Sequence, residues 1–208
     1  MKRIFPIAST LLLIMTGCSD VEGDDHDHDH HDHEHEVITT VVINFSSQGD
    51  DSESLEFVWA DPENDGSPVV DDIVLEDGVA YDVYVEFMNE LEDPAEDITP
   101  EIADEAEEHQ IFFTGSAVEG PATGSNDDAV VSHAYLDADA EGLPIGLENE
   151  IVSLTAGSGE LILTLRHMPE ESGSPVKVEG AAEDVADGGF SAIGGANDVS
   201  VTFSITVE

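Results

Sequence analysis

Residues 199–207 read VSVTFSITV, with Val199, Val201, Phe203, Ile205 and Val207 on one side and hydroxyl side chains on the other. A strand turns successive side chains to opposite faces, so this period of two describes a strand buried on one face. The same period recurs at Val37, Val41, Ile43 and Phe45; at Leu55, Phe57 and Trp59; at Val79, Tyr81, Val83, Val85 and Phe87; and at Leu161, Leu163 and Leu165. Shorter candidates lie at 69–75, 111–114, 129–136 and 147–155, and Asp77-Gly78 between two of these runs predicts a hairpin turn. Eight or nine strands in about 170 residues fit a single antiparallel β-sandwich over 37–208, immunoglobulin-like or jelly-roll-like, with a core large enough to fold alone.

One short peripheral helix is expected in DITPEIADEAEEHQ (97–110), where Thr99 can cap, Pro100 suits the first helical position and acids follow at the positive end of the dipole. The Gly-, Ser- and acid-rich segment 169–198 reads as the longest irregular loop.

Upstream of Val37 the pattern changes twice. Residues 1–17, MKRIFPIASTLLLIMTG, have a basic start, a short apolar run and small residues before Cys18, and so read as a secretory signal too short to span a membrane. Thr16 and Gly17 before Cys18 resemble a bacterial lipobox, which implies lipidation of Cys18 and an anchored chain. Ser19 and the acids Asp20, Glu22, Asp24 and Asp25 resemble an export signal to the outer surface, with a periplasmic-facing position as the alternative. Residues 18–36 lack apolar periodicity and predict a disordered, charged tether. Cys18 is the only cysteine, which excludes a disulfide and thiol chemistry in the folded part.

Within the tether, DDHDHDHHDHEHE (24–36) carries His26, His28, His30, His31, His33 and His35. Imidazole suits zinc, copper, nickel and iron, and carboxylates complete a coordination sphere or hold the ring tautomer. The tract therefore points to transition-metal capture, zinc first, through several weak and pH-sensitive sites. The competing reading is a solvated spacer.

Beyond the leader, two basic residues, Arg166 and Lys177, stand against 49 Asp and Glu, a formal charge of −47. Nucleic acid and anionic lipid headgroups are excluded as partners, and a salt-adapted source or a cation-collecting domain is implied. Two acidic stretches match parts of a calcium loop. In DADAEGLPIGLE (137–148) the places are held by Asp137, Asp139, Glu141 and Glu148; in DPENDGSPVVDD (61–72) by Asp61, Glu63, Asp65 and Asp72. Neither has an EF-hand's flanking helices, and each also reads as a tight acidic turn.

Three histidines lie outside the tract: His109 closing the helix, His133 in a strand, and His167 continuing the face of Leu161, Leu163 and Leu165. A zinc site on His109 and His167, or on all three, requires that they meet in space. For catalysis there is no nucleophile elbow, no HExxH and no glycine-rich phosphate loop, so a non-enzymatic protein is expected.

LEDPAEDITPEIADEAEEHQIFF, YLDADAEGLPIGL and LTLRHMP resemble stretches of small Gram-negative lipoproteins labelled "type 1 periplasmic binding fold superfamily protein". The resemblance covers about residues 37–208. It implies an envelope lipoprotein, often encoded beside a TonB-dependent outer-membrane receptor, with no established activity. The label's two doubly wound α/β lobes need alternating strands and long helices, which this pattern lacks. The residues thus lead to a zinc-binding, lipid-anchored sandwich accessory to an outer-membrane receptor or transporter, the alternative being a calcium-stabilised surface adhesion module with the tract as spacer.

Overall fold

The computed structural model describes residues 36–49 and 52–208, all within one compact unit. Residues 1–17, read as a secretory signal, Cys18 and the tract histidines His26, His28, His30, His31, His33 and His35 lie outside the described residues.

The chain forms the expected all-β sandwich. One sheet runs in the order β3 (Val69–Val70), β2 (Ser54–Ala60), β1 (Thr40–Ser47), β5 (Ala80–Asn89), β10 (Glu148–Ser153), β9 (Val131–Tyr135) and β8 (Val118–Glu119), with β6 (Glu96–Asp97) also on β5. The other runs β4 (Ile73–Leu75), β12 (Ala196–Val207), β11 (Gly157–His167) and β7 (His109–Thr114). The period of two works as the sequence demands: Val41, Ile43, Phe45, Val83, Val85 and Phe87 meet Ile111, Phe113, Leu161, Leu163, Leu165, Val201, Phe203 and Ile205 in one core.

Two pairings depart from the purely antiparallel expectation, since β4 joins β12 and β8 joins β9 in parallel. The first overturns the hairpin at Asp77-Gly78. Gly78 does turn with φ 73°, but the turn carries the chain from β4 in the small sheet to β5 in the large one. Alternation marks a strand and glycine marks a turn; neither says which neighbour the strand takes.

The helix α1 (Thr99–Asp104) is present with Pro100 in its first turn, but Thr99 does not cap it. The cap position is Ile98, and the Thr99 hydroxyl instead accepts the Phe87 N–H at 2.9 Å, tying α1 to β5. The segment read as one long loop contains a second helix, α2 (Ala181–Gly188). Ala181, Ala182 and Val185 of α2 pack with Phe112 and Met168 on the outer face of β7, away from the main core. Small residues with only one branched apolar side chain gave too weak a periodic signal to mark it. Among the described residues no helix is long and apolar enough to cross a membrane.

Candidate metal centre

Strands β7 and β11 pair so that His109 lies opposite His167. Both extend the core-facing rows, His109 beyond Ile111 and Phe113, His167 beyond Leu163 and Leu165. Their rings stack with centroids 4.5 Å apart and planes 9° from parallel. At this end of the sandwich, two imidazoles stand where the alternation would place aliphatic side chains.

Asp198 arrives through an irregularity in β12. Leu165 pairs with Val199 and Arg166 with Asn197, so Asp198 is the extra residue of a bulge. A bulge re-aims a side chain, and this one sets Asp198 Oδ2 3.7 Å from His109 Nε2. Gly195 makes the approach possible: its φ is 77°, and a Cβ there would collide with the His167 carbonyl oxygen and the Met168 side chain. Arg166 clamps the same segment from the outer face, donating to the carbonyls of Gly194 at 2.7 Å, Gly195 at 2.8 Å, Phe190 and Ile193, and to Asn197 Oδ1 at 2.7 Å. Glu36, four residues before β1, completes the set with Oε1 3.6 Å from His109 Nε2. It is the last residue of the segment read as tether.

One ligand atom from each of Glu36, His109, His167 and Asp198 lies within 4.8 Å of all the others. Exposures of the four side chains are 7%, 0%, 3% and 0%. His109 Nδ1–H donates to the Glu105 carbonyl at 3.2 Å, which turns Nε2 towards the carboxylates as the nitrogen able to take a proton or a ligand bond. Neither His109 Nε2 nor Glu36 Oε2 has a hydrogen-bond partner among the described residues. Zinc bonds of about 2.0–2.1 Å in a tetrahedron separate ligand atoms by about 3.3–3.4 Å, close to the 3.6 and 3.7 Å found here.

Charge narrows the chemistry further. Two carboxylates drawn out of water need a cation beside them. Arg166 is spent on the Phe190–Asn197 segment, and Lys177 donates to Asp139 Oδ2 and the Ala106 carbonyl, each at 2.7 Å. The positive charge must come from an imidazolium or a metal ion. Burial alone would lower the basicity of His109, but Glu36 and Asp198 outweigh it and hold its pKa above the ordinary histidine value. Burial likewise opposes ionisation of Glu36, and the partnership with His109 reverses this and lowers its pKa. A proton and a metal ion would thus compete for one electrostatic trap.

A second group adjoins the first. Glu105, Glu108 and His167 also present atoms within 4.8 Å of one another, with Glu108 Oε2 3.5 Å from His167 Nε2.

His133 is elsewhere. It packs against Phe113 at 4.4 Å and faces Asn149 Oδ1 at 2.9 Å, a buried core histidine. The two acidic stretches fold into hydrogen-bonded turns. Asp137 accepts the N–H groups of Gly146, Leu147 and Glu148, and Asp139 those of Glu141 and Leu143 together with Lys177. The Lys177 ammonium takes up Asp139 Oδ2, one of the oxygens that a calcium loop would need. Asp61 accepts from Asp65 and Gly66, and Asp65 from Ser67. Glu141, Glu148, Glu63 and Asp72 do not join them in any ligand group among the described residues. Glu36 and Asp198 were missed from sequence because one ends a tract of like residues and the other sits in a bulge that alternation cannot register. The LRH triplet, basic then imidazole at the end of an apolar row, was the available signal. No protein-family model, curated protein or solved structure matches this chain.

Proposed function

We propose that this is a non-enzymatic, lipid-anchored cell-envelope protein that binds a divalent transition metal, zinc above all, as accessory to an outer-membrane receptor or transporter. The tract at 26–35 collects ions loosely, and the folded centre of Glu36, His109, His167 and Asp198 holds one tightly. The carrying observation is the convergence of those four ligand atoms within 4.8 Å at a buried end of the sandwich. Two imidazole nitrogens with two carboxylate oxygens form a donor set suited to zinc, and a sealed set of four protein ligands favours retention over catalysis. Calcium is outside this reading, since Lys177 occupies Asp139 of the first acidic loop and neither loop brings three ligand atoms together among the described residues.

Zinc titration of the full chain in detergent, followed calorimetrically, tests it. One tight site per chain and a class of weaker ones are expected. His109→Gln with Asp198→Asn should remove the tight site alone, and deletion of 19–35 the weak class alone. A full chain with no tight site, or a double variant that keeps it, overturns the centre; equal weak uptake with and without 19–35 overturns the role of the tract.

A further inference from the structure

We infer that Glu105 and Glu108 form a loading station through which the metal enters, handing the ion to the buried centre by exchange at His167. This rests on the metal-binding reading above. His167 belongs to both ligand groups. The centre itself is sealed, with Glu36, His109 and Asp198 side chains 7%, 0% and 0% exposed, whereas the Glu108 side chain is 27% exposed. An ion arriving from solvent therefore meets the outer group first.

The two glutamates are held in place. Glu108 N–H donates to the Glu105 carbonyl at 2.9 Å, Met168 N–H to the Glu108 carbonyl at 2.6 Å, and His109 Nδ1–H to the same Glu105 carbonyl. The turn joining α1 to β7 thus fixes the backbone from which both carboxylates reach His167, and it sets the tautomer of His109. An ion entering a sealed centre must exchange its waters for protein ligands, and carboxylates already in place on the way in replace those waters before the buried ligands close. Because the two groups share the His167 side chain, they lie next to each other on one path, and we take them as successive stations. In the transfer the glutamate oxygens release as Glu36, His109 and Asp198 close on the ion, and any proton held at His109 Nε2 in the metal-free centre leaves to solvent, with no redox change.

A step that speeds entry speeds exit equally, which gives the test. Cobalt(II) serves as probe, because its visible absorption reports a tetrahedral site. In the full chain, Glu105→Gln with Glu108→Gln should slow both cobalt uptake and its release to a chelator by about tenfold while leaving the dissociation constant within about twofold. Glu53→Gln with Glu76→Gln makes the same charge change at the opposite end of the sandwich and should alter neither rate. Running both in about 1 M salt, where the screening length is about 3 Å, removes general attraction by the acidic surface. Unchanged rates overturn the relay. So does a change in affinity matched by release alone, which would make the glutamates ordinary ligands. A full chain that gives no tetrahedral cobalt signal, or a signal indifferent to Asp198→Asn, overturns the centre itself.

Discussion

His133 is the histidine whose protonation the fold opposes. Its Nε2–H donates to Asn149 Oδ1, whose own amide donates to the Gly146 carbonyl, and Nδ1 is buried without a hydrogen-bond partner among the described residues. Phe113 and Tyr135 enclose the ring, and Asp137 is the charged group that acts on it. Burial pushes the pKa down from 6.5 to about 4, only partly opposed by Asn149 and Asp137. The unfolded chain therefore takes up this proton before the folded one does. Stability from neutral His133 is complete above about pH 6.5 and is lost as the pH falls towards 4, by roughly 3 kcal/mol over that interval. In urea unfolding between pH 7 and 4, His133→Gln should start about 1–2 kcal/mol less stable at pH 7 and draw level with or pass the unmodified protein near pH 4.5. A constant gap across the range would mean that His133 is protonated in the folded state.

At the scale of elements, the centre depends on how β11 grips the start of β12. Arg166 holds four carbonyls and Asn197 of the segment that leads into Asp198, and cation–π contact with Phe190 at 5.5 Å adds to the grip. Arg166→Met should cost about 3–4 kcal/mol of stability, read by urea unfolding in the presence of a chelator, because it strands those acceptors. It should also weaken zinc by about tenfold to a hundredfold though it touches no ion, because the bulge that aims Asp198 loses its brace. Arg166→Lys should rescue little of either, a single ammonium being unable to span acceptors that a planar fork reaches together. If zinc affinity survives while stability falls, Asp198 is placed by the strand alone. This dependence explains what sequence could and could not reveal. The rows Leu161, Leu163, Leu165 and Ile111, Phe113 are period-two signals, so the strands carrying His109 and His167 follow from composition. The register that sets His109 opposite His167 is a pairing of β7 with β11 that alternation alone does not specify, and the bulge that turns Asp198 towards them follows a β11–β12 connection of about thirty residues whose clamp is one arginine; neither leaves a periodic trace. Glu36 was hidden differently, as the last acid in a run of acids.

For the molecule as a whole, the charge has nowhere to be relieved. Arg166 and Lys177 are the only Lys or Arg residues after residue 3, and both are buried and bonded inward, at 8% and 2% exposure. Among the described residues the surface therefore presents carboxylates with no Lys or Arg between them. Neighbouring like charges about 7 Å apart cost about 0.6 kcal/mol each in water, and many such pairs are unavoidable at this density. The unfolded chain also repels itself, but over longer distances, so the compact state bears the larger penalty. Raising salt from about 0.05 to 1 M shortens the screening length from about 14 to 3 Å and should stabilise the fold by a few kcal/mol, seen as a rising urea midpoint with the denaturant slope unchanged. The measurement belongs in chelator, so that screening is separated from metal binding. Zinc added afterwards at low salt should then stabilise further by about 4 kcal/mol at a thousandfold excess over its dissociation constant. That gain should persist at high salt, because a buried coordination bond is screened far less than a surface pair. A midpoint indifferent to salt would mean that the acids are spaced widely enough to ignore one another. Zinc stabilisation that vanished at high salt would place the ion on the surface rather than at the end of the core.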